Sequence, residues 1–549
     1  MKNFWIATLI SATLFALVLF LMPRAAPVAA QRGEVRGPFR APPVNPVSFD
    51  GDVRRLPRAP IAPREIPRAR QAARALAPQI ALRDPVRQSA PAISKWMTQP
   101  LVSFKGLDFP TWGMGWPPDT NGDVGPNHYI QAVNISLGIF SKTGASLALF
   151  TYDSFFAGAP GPCGVGNNNG DPIVLYDPIA DRWIVTNFSW LDFYNGPYYE
   201  CIAVSKTGDP VAGGWWLYSF LADTTYLHDY PKLGVWADGI YMSANMFDLP
   251  GDIPQGVKLW AFNRAELING LPLNAIYFSI APGYHTILPA NLRGALPPPG
   301  TPEFLATITA PNNLHLWKFH TDWITPSNST LTGPTTLTTA NFVMPCNAAF
   351  TIGCVPQLGG ESVDGLGDRL MMQLQYRNRG GVESLWANHT VAENSAVGYP
   401  TGIRWYEIRE PNGAPTIYQQ GTFQPDSNYR WMGSLAVDRF GNLALGYSVS
   451  SASMYPAIRY TGRTVNDPLG VLTQGEWSLI EGTGSQSGGF ARWGDYSAMT
   501  VDPVDDCTFW YTNQYFEATG RNWQTRIGAF QFGNCDRRLI LFPILKDYP

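Results

Sequence analysis

The sequence predicts an all-β fold, a single β-propeller, from three observations. Two segments near the C-terminal end are copies of one pattern: RWMGSLAVDRFGNLALGYS from Arg430 and RWGDYSAMTVDPVDDCTFWYTN from Arg492. Weaker copies run DTNGDVGPNHYIQAVN from Asp119, DPIVLYDPIADRWIVTN from Asp171 and DYPKLGVWADGIYMSAN from Asp229. The composition agrees: 53 Gly and 48 Pro supply turns, aromatics reach 13% and charged residues only 15%. Long amphipathic helical patterns are scarce, and Arg264-Ala265-Glu266-Leu267 is one turn at most. Short strands between turns argue all-β, and a repeated supersecondary unit dictates the architecture.

Residues 1–30 read as a signal peptide. Lys2 precedes an apolar run from Ile6 to Met22, and Val28-Ala29-Ala30 is a small-residue cleavage site. The length of the run leaves an N-terminal membrane anchor as the alternative; in both cases the remainder is exported, to the cell envelope or beyond. Residues 31–93 read as a disordered Pro/Arg-rich linker, with twelve Arg and no Lys against five acids, a net +7. Within it, 69–79 is expected to form a transient helix. With Lys2 and Arg24 also set aside from the whole-chain −3, residues 94–549 carry about −12. That sign argues against a nucleic-acid partner, while the linker could touch an anionic envelope surface.

Residues 94–535 hold the repeats. Each copy is a polar start, a short apolar strand, a tight turn and a second strand. The turns are Asp177-Pro178 to Asp181, Asp238-Gly239, Phe440-Gly441-Asn442 and Asp502-Pro503 to Asp506, where Pro presets φ and Gly or Asn accepts φ > 0. The runs after them, such as Trp183–Thr186 and Phe509–Thr512, are aromatic and β-branched, as strands prefer. Poorer copies at Phe304–Trp317 and Gly365–Tyr376 bring the count to seven units, beginning near 119, 171, 229, 302, 362, 430 and 492. Seven four-stranded blades are predicted, with six or eight left open by the weak copies. The domain is expected to be monomeric. The tail 536–549 has an apolar run broken by Pro543, far too short to span a bilayer, and is expected to pack outside the last blade.

Six cysteines in an exported chain suggest disulfides, and the most economical pairing is Cys163–Cys201, Cys346–Cys354 and Cys507–Cys535. Spacing alone leaves other connectivities open.

The first strands of a propeller start at one mouth of its channel, so the charged positions there should converge. They are Asp119, Asp123, Asp171, Asp229, Asp364, Arg430, Arg492 and Asp495. Arg430, Arg492, Asp495, Asp171, Asp229 and Asp364 form the candidate ligand-binding set; capping strand ends and tying blades is the structural alternative. Asp495 and Asp229 are the candidate catalytic carboxylates, since a glycosidase needs two facing each other. A sialidase would add an arginine clamp, which Arg430, Arg492 and Arg377 could supply, and a Tyr/Glu pair such as Tyr199-Glu200. Asp119, Asn121 and Asp123 have the D-x-N-x-D spacing of a calcium loop but lack its Gly and closing Glu, and an Asx-turn network competes. No other cofactor is required. Nucleophile-elbow, H-E-x-x-H, C-x-x-C, P-loop and dinucleotide patterns are absent. His315 and His320 flank the strand LHLWKFH. Trp183, Trp317, Trp431, Trp493 and Trp510 fall on repeat positions and read as core, while Trp112, Trp116 and Trp190 lie in loops where sugars could stack.

The elements PPDTNGDVGPNHYIQAVN, DYPKLGVWADGIYMSAN, GIRWYEIRE and the two Arg-Trp copies resemble those of large secreted bacterial β-propeller proteins of unassigned function, over about residues 100–535. The turn SLAVDRFGNLALGYS distantly resembles the Asp-box turn of the sialidase-like superfamily, although Ser434 lies four residues before Asp438 and no Thr-Trp follows Gly441. The expected function is non-catalytic recognition or adhesion, with glycan or protein ligands at the envelope. The alternative is a sialidase-like glycoside hydrolase or lyase working at the channel mouth. Two facing carboxylates in an open pocket beside arginines would favour the enzyme; a plugged mouth would place binding elsewhere.

Overall fold

The computed structural model describes residues 33–57, 64–65, 83–91, 95–113, 115–345, 353–394, 398–488 and 491–535. The chain is all-β. Among the described residues two short α-helices, Tyr152–Phe155 and Arg264–Asn269, interrupt the strands, the second lasting little more than one turn. Among the described residues, no helix is long and apolar enough to cross a membrane. The predicted signal 1–30, the 69–79 helix and the tail 536–549 lie outside the described residues.

Seven antiparallel units follow one another. Unit 1 is Asn121–Val124, His128–Val133, Ser136–Ser141 and Ser146–Thr151. Unit 2 is Asn168–Asp177, Arg182–Trp190, Tyr198–Ser205 and Trp215–Asp223, and unit 3 is Leu227–Val235, Gly239–Asp248, Ile253–Asn263 and Leu273–Ile280. Unit 4 starts at Leu288–Gly294, unit 5 at Met371–Arg379 and unit 6 at Tyr429–Val437, each continuing through three more strands. Unit 7 is Ala498–Val501, Thr508–Phe516 and Trp523–Gln531, and its fourth strand is Val102–Asp108, from the other end of the chain. The first strand of each unit packs beside that of the next, and the first strand of unit 7 packs beside that of unit 1. Between units 4 and 5 this contact is a parallel ladder.

The predicted turns join first to second strands, and their acids explain why. Asp177 accepts from the N–H groups of Ile179 and Ala180, and Asp438 from those of Phe440 and Asn442. Each carboxylate satisfies donors that the tight turn leaves unpaired. The repeat-position tryptophans Trp183, Trp317, Trp431, Trp493 and Trp510 are all buried, as expected. Two unit boundaries need correction. Phe304–Trp317 lies in the second and third strands of unit 4, and the copy at 365 precedes a first strand that begins at Met371. Every hairpin of an antiparallel unit has the same apolar–turn–apolar signature, so the sequence pattern does not rank strands within a unit.

The larger correction concerns 31–93, expected to be a disordered linker. Its described residues form a belt around the units. Val35–Val44 pairs with the outer strand of unit 3 and Val47–Phe49 with that of unit 2. The 3-10 turn Val53–Arg55 then packs against the outer strand of unit 1. Further on, Arg87–Gln88 pairs with unit 5 and Lys95–Trp96 with unit 6. Edge strands tolerate Pro and need few side-chain contacts, so composition alone misses them. The belt is also fastened by charge: Asp84 sits 2.8 Å from the buried guanidinium of Arg404.

Two predicted disulfides are present, Cys163–Cys201 and Cys507–Cys535, with Cα separations of 5.7 and 5.9 Å. Cys346, half of the third pairing, lies outside the described residues.

Candidate functional site

The first strands bring one group of charges together at the end where they begin. Asp171 Oδ2 accepts from Tyr496 Oη at 2.8 Å and from the Tyr230 N–H at 3.2 Å. Asp119 Oδ1 accepts from the Asp495 N–H at 2.6 Å, and its Oδ2 from Asn134 Nδ2 at 2.5 Å. Lys232 lies between two aromatic faces, its Nζ 3.4 Å from the ring centres of both Tyr230 and Tyr496. Arg369 stacks over the Tyr230 ring at 4.6 Å and pairs with Asp368 at 2.8 Å. Arg492 approaches Asp495 at 3.5 Å.

The backbone here is unusual. Asp119, Asp171, Tyr230 and Met432 are non-glycine residues with φ between 47° and 59°. In units 2, 3 and 6 the strand pairing also shifts register at this step, next to Asp171, Tyr230 and Met432. A left-handed residue inside a bulge re-aims the chain, and such conformations persist only where surroundings hold them. The holding is visible: Asn134 Oδ1 accepts from the Asp171 N–H at 2.9 Å, and Asn245 Oδ1 from the Thr286 N–H at 2.7 Å.

Electrostatically the group is a buried polar knot. Burial pushes the Asp119 carboxyl up to about 7, assisted by the neighbouring Asp495 and Asp171 charges. Asp171 also rises to about 7, by burial and then the Asp229 charge. Burial drives Lys232 well below its ordinary value against the pull of Asp171 and Asp495. These opposed shifts mean that the knot holds protons near neutral pH rather than a full set of charges.

It is also roofed. Asp119, Asp171, Asp229, Lys232, Arg369 and Asp495 are all buried. Residues 353–366 fold over this end as a small hairpin, with Val355 and Val363 exchanging backbone hydrogen bonds at 3.0 and 2.9 Å. Their apolar side chains pack with Phe109, Trp431, Trp493 and Trp523. Below, the axis between the first strands is filled. Asn291 Nδ2 donates to Gln373 Oε1 at 2.7 Å, Gln373 Nε2 to the Met499 carbonyl at 2.8 Å, and Ser434 Oγ to the Met372 carbonyl at 2.8 Å. The cavity left among them is about 10 Å³, room for about one water. At the far end Arg293 pairs with Asp123, and Arg377 binds Asp506 through two nitrogens at 2.7 and 2.5 Å.

Of the predicted ligand-binding set, Asp171, Asp229, Asp495 and Arg492 therefore meet, together with Asp119. Asp364 stands nearby in the roof, its N–H donating to the Ala491 carbonyl at 2.7 Å and its Oδ1 accepting from the Leu366 N–H. Arg430 does not join them. Its side chain is fully buried within unit 6 and clamped by Asp426 and Glu476, both at 2.8–3.0 Å. Arg430 lies inside a first strand, whereas Arg492 precedes its strand by six residues, so the shared Arg-Trp puts the two guanidiniums in different places. The arginine clamp is not assembled either, because Arg377 is held at the opposite end. Glu200, of the Tyr199-Glu200 pair, is buried against His228 at 3.0 Å. Asn121 and Asp123 face the next unit, while Asp119 is held by Asn134 and the Asp495 N–H. Asn121 accepts from the Val174 N–H and Asp123 from the Tyr176 N–H, so their oxygens tie strands instead of meeting at a point. Among the described residues, no group of three or more His, Cys, Asp or Glu is arranged to hold a metal ion. Trp116 stacks on Phe109 at 4.3 Å, and Trp190 is buried beside Phe188.

Sequence reasoning missed Tyr230, Lys232, Arg369 and Tyr496. A signal existed for Lys232: a lysine three residues after a repeat aspartate, inside the apolar strand Leu227–Val235.

No protein-family profile matches the sequence, and a search of curated proteins gives no match. Solved structures with some likeness include the polysaccharide lyase Uly1 (11% identity, TM-score 0.36, covering 81% of this chain and 97% of that one). Others are the sialidase of Trypanosoma rangeli (7%, 0.33, 67% and 58%) and an exo-β-1,3-galactanase from Clostridium thermocellum (8%, 0.30, 78% and 98%). At such scores neither substrate nor mechanism passes from them to this chain.

Proposed function

We propose that this chain is an exported, monomeric seven-bladed β-propeller that recognises a glycan or protein ligand at the cell envelope without transforming it. The seven units are its blades, and Val102–Asp108 closes the ring by completing the last of them. The observation that carries the reading is the filled axis. The acids of the mouth are buried beneath the roof and the cavity among the first strands is about 10 Å³, which supports a ligand held elsewhere. Catalytic carboxylates must flank a substrate bond, and Asp229 and Asp495 are both buried. The disulfides suit an oxidising compartment. No cation is assigned to Asp119, Asn121 and Asp123.

The competing reading, a glycoside hydrolase or lyase, has one observation in its favour. Asp119 and Asp171 titrate near 7, where a general acid is most useful. A glycan-array screen run beside assays for reducing-end release and for unsaturated products separates the two. Retention of a ligand without turnover is expected; turnover abolished by Asp495→Asn would overturn the proposal.

A further inference from the structure

The belt builds a second feature, on the outer edge of units 6 and 7. Lys95–Trp96 pairs in parallel with Gln474 and Gly475, and beside this pairing lies an open cleft of about 450 Å³. That size is within the range of small-ligand sites. Its walls include Lys95, Trp96, Asn466, Gln474, Phe532 and Asn534. Trp96 is 58% exposed, the most exposed tryptophan among the described residues with exposed apolar side chains.

Two glycines seat the protruding side chains. A Cβ on Gly475 would fall 2.5 Å from the Trp96 ring, so the indole rests on bare backbone and turns its other face outward. A Cβ on Gly533 would fall 3.1 Å from Lys95 Nζ. Lys95 joins no ion pair among the described residues. Nor does Asn466 make a side-chain hydrogen bond there. Asn534 uses only its Oδ1, which accepts from Asn442 Nδ2 at 3.2 Å and leaves its Nδ2 available. The cleft thus offers a flat apolar face, amide donors and acceptors, and one cation with no ion pair among the described residues. A single exposed indole needs no explanation, but one seated on a glycine beside unused amides and a cation is arranged as a stacking site.

We propose that this cleft binds an acidic sugar residue of an oligosaccharide. One ring face stacks on Trp96, the hydroxyls bond to Asn466 and Asn534, and the sugar's carboxylate or sulfate faces Lys95. This rests on the recognition reading above and places the ligand away from the channel mouth. A charged partner adds to stacking because a charge-assisted hydrogen bond is about twice as strong as a neutral one.

The test is isothermal calorimetry with the full chain, using uronate-containing, sulfated and neutral oligosaccharides of equal length. The proposal expects the acidic ligands to bind at least tenfold more tightly than neutral ones. Trp96→Ala should weaken all binding at least tenfold, and Lys95→Ala should bring acidic ligands to the neutral level. Tyr194→Ala, an exposed aromatic far along the chain in unit 2, should change nothing. Binding unaffected by both Trp96→Ala and Lys95→Ala would overturn the cleft while leaving the recognition reading intact. Tighter binding of neutral sugars would overturn the acidic assignment. No binding to any glycan by the parent chain would remove the glycan reading itself. Unchanged thermal melting of both variants keeps loss of fold out of the comparison.

Discussion

Lys232 and its neighbours show how little a residue's type says about its task. A lysine, two tyrosines and several aspartates at one mouth resemble the makings of a ligand site, yet their polar atoms are spent on one another and on backbone. Their protonation has a consequence for stability. The ordinary carboxyl value is 3.8, whereas Asp119 and Asp171 titrate near 7 in the fold. The folded state holds these protons more tightly, so their contribution is fully present below about pH 4 and is lost as pH rises to about 7. Lys232, driven well below its ordinary value, works in the opposite direction, so the fall due to the carboxyls between pH 5 and pH 8 is read as the difference between parent and variant. Asp171→Asn should flatten that fall and raise the melting temperature at pH 8, because asparagine tolerates φ near 50° and still accepts from Tyr496 and Tyr230. An unchanged slope would place these carboxyls in the ionised state throughout. The mouth aspartates were legible in the sequence because they head the repeats. Their sealing was not, because the roof comes from residues 353–366, which lie ahead of the first strand of unit 5 and outside every strand of the units.

Elements divide in the same way. The hairpins announce themselves through Asp, Pro, Gly and Asn at turns and through aromatic runs beyond them. The belt does not, because strand addition at an outer edge is made by backbone groups and needs no apolar alternation. What fixes it is particular contacts, of which Asp84 with Arg404 is the most buried, their side chains 3% and 0% exposed. Asp84→Ala would leave that guanidinium without its counter-charge and should cost about 3–5 kcal/mol in chemical denaturation. Arg404 also donates to Thr422 Oγ1 and to the Ala340 and Asn341 carbonyls. The double variant Asp84→Ala, Arg404→Met should therefore recover part of the loss, and a double variant as unstable as the two singles added together would show that the pair is not coupled.

At the scale of the whole molecule, segments far apart in the sequence complete one unit. Val102–Asp108 completes the unit built from Ala498–Gln531, and Cys507–Cys535 clamps the same unit. Such pairing brings distant segments together, so cross-links that shorten the unfolded loops should matter. Replacing Cys163 and Cys201 by Ser should cost about 2–4 kcal/mol in reversible denaturation, with the native far-ultraviolet spectrum retained. The first strands pack side by side, and in this chain they fill the space between them with Gln373, Met372, Met499 and ion pairs at the far end. The open cleft lies instead where Lys95–Trp96 meets units 6 and 7, and it is there that the ligand is proposed to bind. The most direct test is to recover, by mass spectrometry, an oligosaccharide that the full chain has retained overnight. The account predicts the ligand unchanged; shortened or unsaturated products that disappear with Asp495→Asn would contradict it.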